Sequence, residues 1–246
     1  MKLFKADLHI HTVLSPCGSL EMSPGNIVQA ALDQQLDIIG ITDHNSTRQC
    51  RQVIEAADET GLKVFTGVEI TTREEVHCLA FFEHLDALDA FQQYLDEHLP
   101  KIKNDPDLFG YQVVVDKSEN IVYEEDFLLI TGLNKGINEI EKEVRRHGGI
   151  FIPAHIDKPK YSLTSQLGFI PADLPVDAFE LSKHTPTKSF LAVYPNLINS
   201  TFIRNSDAHQ PDLIGTSYTY YRMDTPCFDE FRMALQHKNG REVIAA

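Results

Sequence analysis

The chain is poor in cysteine, in basic residues and in long apolar runs. Its four cysteines are scattered, with no closely spaced pair, so a disulfide framework is not expected and a reducing compartment is favoured. No stretch approaches the roughly 18 apolar residues of a membrane span. The first residues also lack the apolar core of a signal peptide. We therefore expect a cytoplasmic protein with no membrane partner.

The shortage of basic residues restricts the choice of partner. Lysine and arginine total 22 against 36 aspartate and glutamate, which gives a formal net charge of −14 at pH 7. Binding to duplex nucleic acid is dominated by phosphate contacts and usually needs a basic surface. Duplex nucleic acid is therefore an unexpected partner. A small anionic substrate is compatible with the charge, because a metal cluster can supply local positive charge.

The remaining composition is that of an ordinary globular protein: 42% of the 246 residues are hydrophobic and 24% are charged. Short apolar runs alternate with longer helical patterns, which predicts repeated β-α units and a largely parallel sheet. Strands are predicted at 4–9, 37–42, 63–69, 76–82, 150–154, 176–181 and 201–205. Helices are predicted at 23–35, 47–60, 86–98 and 135–147, after Pro186 and from about 225. No Gly/Ser linker separates these units, so one domain over 1–246 is expected.

The region 101–133 interrupts this alternation. It contains the turn-forming sequence NDPD at 104–107, then an alternating apolar run at 111–115 and an acidic turn. We interpret it as an insertion or a small hairpin over one end of the core.

Polar residues gather where the predicted strands end. In parallel α/β folds the carboxyl ends of the strands meet at one edge, and functional residues collect there. His77 lies instead near the start of its predicted strand, which indicates an antiparallel or irregular strand at that point. Five of the 11 histidines and several carboxylates fall on the strand ends, in the segments DLHIH (7–11), TDH (42–44), Glu69, PAH (153–155) and NSDAH (205–209), and His77 is the sixth histidine of the set.

The spacing of these residues points to bound metal. Residues i and i+2 of a strand face the same side, so His9 and His11 can face one ion together, and Asp207 and His209 repeat the arrangement. Imidazole and carboxylate ligands suit Zn²⁺, Mn²⁺ or Fe²⁺. The candidates exceed the roughly four ligands of one tetrahedral zinc. Two or three metal ions that share bridging carboxylates are therefore predicted.

Taken as an ordered set, five motifs resemble those of the polymerase and histidinol phosphatase (PHP) family: DLHIHT at 7–12, ITDH at 41–44, GVE at 67–69, PAH at 153–155 and SDAH at 206–209. The resemblance implies an α/β fold, namely a distorted, TIM-like (β/α)7 barrel with a metal centre at its carboxyl-terminal mouth. It also implies hydrolase activity, since characterised members are largely phosphoesterases. These include histidinol-phosphate phosphatases, nucleotide phosphatases and exonuclease modules of polymerases.

The resemblance also assigns ligands to the metals. Glu69 would bridge from the first metal to a second one held by His77 and His155. His77 could equally be an ordinary strand residue. The ligands of the first metal would be His9, His11, Glu69 and Asp207.

A third metal would take His44 and His209. Its remaining ligand in the family is often a histidine shortly after the HxH motif, and Cys17 occupies the matching position here. A thiolate binds zinc or iron, so the site could persist with an altered metal preference. The alternatives are a weakened third site that leaves two metals, or a Cys17 that is simply a loop thiol.

Three further sets of residues are assigned roles. Glu69, Asp207 and His209 are the candidate catalytic residues, and Asp207 or His209 would move a proton to or from the reacting groups. Asp7 and Asp43 are expected to orient the histidines, although turn-forming carboxylates would have the same spacing. Cations near the strand ends could hold the substrate phosphate: Arg48, Lys158, Lys183, His184 and Arg204.

The predicted function is metal-dependent hydrolysis of a phosphate ester in a small phosphorylated metabolite or nucleotide. One alternative is a nuclease that trims single-stranded ends, although the net charge of −14 counts against it. Another is a non-catalytic, metal-stabilised PHP module. A further alternative is hydrolysis of a non-phosphate ester or an amide at a similar metal centre.

Overall fold

A strongly curved sheet forms the framework of the protein. The computed structural model describes residues 1–245. Its strands are β1 (Lys2–Ile10), β2 (Ile38–Ile41), β3 (Lys63–Thr71), β4 (His77–Phe82), β5 (Val113–Val115), β6 (Ile121–Glu124), β7 (Ile150–Pro153), β8 (Phe179–Glu180), β9 (Phe202–Ile203), β10 (Thr219–Met223) and β11 (Glu242–Ala245). Its α-helices are α1 (Pro24–Asp33), α2 (Cys50–Ala57), α3 (Leu85–His98), α4 (Pro106–Phe109), α5 (Ile137–Arg146), α6 (Leu163–Gln166), α7 (Thr187–Val193) and α8 (Phe228–Leu235).

The sheet combines parallel and antiparallel strands. Its order is β11-β10-β1-β2-β3-β4-β7, and β8 pairs with β9 separately. Strands β1, β2 and β3 are parallel, whereas β4 runs antiparallel to both β3 and β7. The start of β4 therefore lies at the edge where β3 and β7 end. This confirms the antiparallel strand predicted from the position of His77.

Hydrogen bonds outside the regular ladders bring the remaining strands into a distorted (β/α)7 barrel. The amide of Ile156, just after β7, donates to the carbonyl oxygen of Glu180 in β8 at 2.9 Å. On the other side, the amide of His11 donates to the carbonyl oxygen of Ala208 at 3.0 Å, so the segment after β9 meets the end of β1. The order around the barrel is β1-β2-β3-β4-β7-β8-β9, which confirms the predicted fold class.

An irregularity in β1 determines where its histidines lie. Leu8 packs in the inner apolar cluster with Phe65 and Leu79. In a regular strand the next residue would face the outer side. The Nε2 atom of His9 nevertheless lies 3.2 Å from Oε1 of Glu69, on the inner side of the barrel. The register with β2 shifts between Asp7 and Ile10. This bulge lets two consecutive residues serve the inner side of the barrel.

The inner apolar cluster fills the end of the barrel opposite to the histidines. Helix α8 supplies Phe228 and Phe231, and the ring of Phe231 lies 5.2 Å from that of Phe65 and 6.3 Å from that of Phe81. All four rings are buried. Burial of aromatic rings is a large stabilising contribution, so this end is the structural base of the barrel.

Region 101–133 contains the hairpin that was predicted. Strands β5 and β6 pair antiparallel after the short helix α4. The side chain of Gln49 donates to the carbonyl oxygen of Val115 at 2.7 Å and accepts from its amide at 2.9 Å. Asn45 donates to the carbonyl oxygen of Leu129 at 2.7 Å. The insertion is thus attached to the loop after β2, at the mouth of the barrel.

The other predicted elements are found with shifted ends. Helix α2 begins at Cys50 instead of 47, and the amide and hydroxyl of Thr47, ahead of it, are bound to the side chain of Gln92 at 2.6 and 2.9 Å. Strands β10 and β11 were not predicted; they extend the sheet antiparallel beside β1. Within the described residues, each helix is too short or too polar to cross a bilayer.

Candidate metal centre

The carboxylate of Glu69 lies among five imidazole rings. Glu69 sits near the end of β3 and is 1% exposed. Its two oxygens divide the rings between them, since three nitrogens approach Oε1 and two approach Oε2. The nitrogens near Oε1 are His77 Nδ1 at 2.9 Å, His155 Nε2 at 3.1 Å and His9 Nε2 at 3.2 Å. Those near Oε2 are His44 Nδ1 at 3.1 Å and His11 Nε2 at 3.3 Å.

Asp207 completes the cluster from the opposite side of the barrel. Its Oδ1 lies 3.3 Å from His9 Nε2 and 3.5 Å from His11 Nε2. Its Oδ2 makes a short ion pair with the Nζ of Lys158. Asp207 adopts a left-handed backbone conformation, with φ of 54°, which aspartate tolerates better than most residues. The conformation fits its place next to Ala208, which pairs with β1.

The residues predicted to hold a third metal also lie close together. The ring of His209 stacks on that of His11 with 4.1 Å between the ring centres. Ligand atoms of His11, Cys17, His44 and His209 all lie within 4.8 Å of one another. Cys17 is the exposed member of this group. Although the residue as a whole is exposed, its thiol lies beside the cluster. Partial desolvation there and the negative charge of Glu69 raise the pKa of Cys17 to about 12, so the thiolate needs a nearby cation.

Hydrogen bonds behind the histidines fix the tautomers of two rings. His9 Nδ1 lies 3.1 Å from both oxygens of Glu180, and a carboxylate accepts hydrogen bonds, so this nitrogen carries the proton. Ser15 Oγ donates to Asp43 at 2.7 Å and therefore accepts from His11 Nδ1 at 2.9 Å. In the neutral form of both rings, Nε2 therefore presents its lone pair to the cluster.

This arrangement fits bound cations. His9 Nε2 and His11 Nε2 are 3.2 Å apart, and both also face carboxylate oxygens. Lone pairs at this distance repel each other unless a proton or a metal ion lies between them. Among the described residues, none gives His44 Nδ1 or His155 Nδ1 a well-aligned hydrogen bond, although both atoms are buried. Nitrogen and carboxylate donors of this kind suit Zn²⁺, Mn²⁺ or Fe²⁺.

The charges within the cluster and its burial shift the pKa values of Glu69, His9 and His44. Burial opposes charge on Glu69, yet the imidazoles of His77, His9 and His44 hold its pKa well below the usual range. Burial likewise opposes protonation of His9, but Glu180, Asp207 and Glu69 raise its pKa well above the usual value. Burial lowers the pKa of His44 well below the usual value. The ionised carboxylates thus favour positive charge in the cluster, and a bound cation would supply it in place of imidazole protons, because a ring nitrogen must lose its proton before it can bind metal.

Glu180 and Asn205 contact the cluster residues, and the sequence reasoning gave neither of them a role. Besides His9, Glu180 accepts hydrogen bonds from Asn205 Nδ2 at 2.7 Å and from the amide of His155 at 2.8 Å. Asn205 Oδ1 in turn accepts from the amide of Leu8 at 2.7 Å. Glu180 ends β8, so the same search of strand ends could have found it.

The two aspartates expected to orient histidines differ. Asp43 acts on His11 through Ser15, as described above, and also accepts from the amide of Thr12 at 2.7 Å. Asp7 binds backbone instead, accepting from the amides of Ser206 at 3.0 Å and Gly215 at 2.8 Å. Asp7 therefore fastens the segment that carries Asp207.

The predicted phosphate-binding cations are separated in the structure. Arg48 makes two hydrogen bonds with Asp96, at 2.7 and 3.0 Å. Arg204 donates to the carbonyl oxygens of Ser182 and Thr185. Both guanidinium groups are thus engaged within the protein. The other three cations lie on cavity walls at the mouth: Lys158, Lys183 and His184.

Two cavities meet at the cluster. The main one, of about 350 Å³, is bounded by Glu69, His77, His209 and the segment Lys158–Tyr161 among others. A side cavity of about 160 Å³ is bounded by Glu180, Lys183 and His184 among others. Both have His155, Lys158 and Asp207 in their walls. The atoms that could bind metal therefore border a space that a small molecule can enter.

Comparison with known proteins gives relatives of the same fold. The chain is 27% identical over 277 aligned residues to the uncharacterized protein YqxK of Bacillus subtilis, which covers 100% of this chain and 65% of that protein. The lesion-specific endonuclease PfuEndoQ of Pyrococcus furiosus superposes with a TM-score of 0.78 at 20% identity, over 98% of this chain and 58% of that one. The chain thus spans less than two thirds of the length of each.

A shorter relative has a similar fold. It is a protein of Bifidobacterium adolescentis proposed to be a metal-dependent phosphoesterase, with a TM-score of 0.56 and 20% identity over 84% of this chain and 88% of that one. The family model of the PHP domain matches residues 7–150, more than half of the sequence. That range includes Glu69 and the cluster histidines from His9 to His77. The chain belongs to the PHP domain family.

Proposed function

We propose that the protein hydrolyses phosphate esters with two or three divalent metal ions held at the mouth of the barrel. The observation that carries this proposal is the convergence of five imidazoles on both oxygens of Glu69, with two Nε2 lone pairs facing carboxylate oxygens. The proposed metals are zinc, manganese or iron. Their proposed ligands are His9, His11, Cys17, His44, Glu69, His77, His155, Asp207 and His209.

Each side chain has a distinct task in this proposal. Divalent ions in such a centre activate water and neutralise charge on the phosphoryl group. Glu69 presents one oxygen to each half of the cluster and so bridges them. Glu180 and Ser15 hold the rings of His9 and His11 with Nε2 turned inward. Asp207 offers Oδ1 to these rings and Oδ2 to the cavity side, where Lys158 lies.

His209 is the proposed proton-transfer residue. Its Nδ1 lies 2.9 Å from the carbonyl oxygen of Asp207, so this nitrogen carries the proton and Nε2 is left as an acceptor. Burial and the neighbouring His11 lower the pKa of His209 to about 4. The ring is therefore neutral near pH 7. About 27% of the side chain is exposed at the mouth. With two metals and an empty third site, Nε2 is free to take a proton from a reacting group; with a third metal, the same nitrogen is the metal ligand.

Metal analysis and a substrate panel test this proposal. We expect two or three divalent ions per chain, and Mn²⁺- or Zn²⁺-dependent turnover of phosphomonoesters or phosphodiesters. His9→Ala and Asp207→Ala should abolish turnover and reduce the metal content. His84→Ala is the matched control, since His84 is largely exposed outside the cluster. Undiminished phosphatase activity in both cluster variants would contradict the proposal.

A second candidate function is cleavage of nucleic-acid phosphodiesters. It is favoured by the likeness to PfuEndoQ, a lesion-specific endonuclease, over 98% of the chain. The net charge of −14 argues for a small substrate instead. Faster cleavage of an oligonucleotide than of a mononucleotide, together with salt-sensitive oligonucleotide binding, would favour the nuclease function. Metal binding without turnover of any phosphate ester would favour a non-catalytic module. Turnover of amides or of non-phosphate esters would favour the hydrolysis of such substrates at the metal centre.

We also propose that residues 1–246 form a single PHP domain located in the cytoplasm. The barrel strands run from β1 to β9, and β10 and β11 extend the same sheet, which supports one domain. All four cysteines are free thiols, which supports a reducing compartment. Limited proteolysis tests the first proposal, since a single domain should give no stable half-length fragments. Cell fractionation tests the second.

A further inference from the structure

The structure distinguishes one of the five predicted cations from the others as a candidate for holding a substrate phosphate. Arg48 is bound to Asp96, and Arg204 is bound to backbone carbonyl oxygens. Lys183 and His184 border the side cavity and are exposed. Lys158 is the candidate whose charged atom contacts the cluster itself, through Asp207.

Lys158 lies where the two cavities meet. Its side chain belongs to the walls of both the main cavity and the side cavity. Its partner Asp207 is shared, because Oδ1 faces the Nε2 atoms of His9 and His11 while Oδ2 faces Lys158. The ammonium group therefore lies directly beside the atoms that would hold metal, on the side open to a ligand.

The loop that carries Lys158 is fastened to the cluster. The amide of Lys158 donates to the carbonyl oxygen of His155 at 2.9 Å, and its own carbonyl oxygen accepts from Ser162 Oγ at 2.7 Å. The amide of His77 donates to the carbonyl oxygen of Tyr161 at 2.9 Å. The loop thus contacts two of the proposed ligand residues through their backbone.

Tyr161 adds a further constraint on this loop. It adopts a left-handed backbone conformation, with φ of 57°, which is unfavourable for a bulky residue. Its ring stacks on that of His77, with centres 4.7 Å apart and planes 10° apart. A strained residue held in this way indicates that the surrounding contacts determine the loop conformation. The backbone that carries Lys158 is therefore held by contacts within the protein.

We propose that Lys158 binds the phosphoryl group of the substrate at the junction of the two cavities, beside Asp207. The assignment rests on the proposed function and identifies the side chain that recognises the anionic group. Asp207 is also a proposed metal ligand, and a bound divalent ion would neutralise part of its charge. The ammonium group has three N–H donors, so it can donate to a phosphoryl oxygen as well as to Asp207. Lysine binds phosphate as a point charge, which requires only that its Nζ be correctly placed.

Calorimetric titration of inorganic phosphate into the Mn²⁺-loaded protein tests this assignment without relying on turnover. Lys158→Met should weaken phosphate binding on the order of 10- to 100-fold, the range expected for a lost charge-assisted contact. Lys158→Arg should restore part of the affinity. Lys160→Met is the matched control, because Lys160 borders the same cavity two residues away. It should bind phosphate almost as the wild type does.

Metal content measured on the same samples separates binding from structure. If Lys158 binds phosphate, Lys158→Met should hold as many metal ions per chain as the wild type. Unchanged phosphate affinity in Lys158→Met would overturn the assignment. A fall in metal content that accompanies the loss of affinity would also overturn it, since Lys158 would then serve only to place Asp207. Lys158-dependent phosphate binding in a protein that turns over no phosphate ester would support the assignment while contradicting the proposed function.

Discussion

The two ends of the barrel use the same strands for opposite purposes. In β3, Phe65 and Glu69 are four residues apart and both face the barrel interior. Phe65 packs against Phe228 and Phe231, with ring centres 6.0 and 5.2 Å away, whereas Glu69 is surrounded by imidazoles. Strand β4 repeats the pattern, since His77 begins it and Phe81 lies near its end.

The difference shows how the protein tolerates a buried polar cluster. Burying charged groups is costly unless they are paired, and a paired group seldom adds much net stability. The aromatic end buries large apolar rings, which is the dominant stabilising contribution in folded proteins. We therefore expect substitutions at the aromatic end to affect stability, and substitutions at the histidine end to affect metal binding and turnover.

Glu69→Gln should have the largest effect on function. The amide keeps the shape of the side chain but removes the negative charge that both halves of the cluster share. We expect turnover to fall by more than about 100-fold, the upper range for residues that only orient metal ligands. Activity and metal content per chain are the measurements. A variant that retained both would break the proposed contrast between the two ends.

Phe231→Ala should have the largest effect on stability. Phe231 is fully buried among Phe65, Phe81 and Tyr221. Loss of a buried phenylalanine typically costs about 3–5 kcal/mol of unfolding free energy. Urea unfolding measures the loss, and Phe231→Leu should lose less. The folded fraction should keep its metal content, and a selective loss of metal would contradict the separation of roles.

Glu180→Gln should have an intermediate effect at the histidine end. The amide still fills the space, but it no longer presents a carboxylate to His9 Nδ1. We expect metal affinity to fall about 10- to 100-fold, as for other partners of ligating histidines. Competition with a metal-binding dye measures this affinity. Glu143→Gln, which removes a surface partner of Arg146, is a suitable control.

Ser15→Ala should have the smallest effect of the four. It removes the hydroxyl that links Asp43 to His11 Nδ1, at 2.7 and 2.9 Å. A single hydrogen bond contributes about 1 kcal/mol, which corresponds to a loss of roughly fivefold in metal affinity. The same dye competition applies, with Ser19→Ala as the control. A loss as large as that of Glu180→Gln would show that His11 depends on its outer partners as strongly as His9 does.

Much of the histidine end follows from local sequence rules. The apolar runs located β2, β3, β4 and β7, and the residues that follow or begin them are brought together by any sheet of this topology. The order of the motifs was enough to identify the family, which the match over residues 7–150 confirms. The hairpin in 101–133 also followed from its turn residues and alternating run.

The features that were missed depend on contacts between distant segments. The shift in β1 between Asp7 and Ile10 is a property of its pairing with β2, and strict alternation does not predict it. The same holds for Arg48 and Arg204, whose partners lie 48 and 19 to 22 residues away. Whether a cation near a strand end is available for a ligand depends on such partners, which a single sequence does not display.

The closure of the barrel also bears on when metal can be acquired during protein synthesis. The end of β1 pairs with Ala208, so the first strand is completed by one of the last segments of the barrel. The proposed ligands likewise extend from His9 to His209. A nascent chain that has emerged only as far as β4 carries HxH, Glu69 and His77, but lacks Asp207, His209 and the Glu180 that holds His9. Because ligands bind metal tightly only when folding assembles them, metal loading should follow synthesis of residue 209.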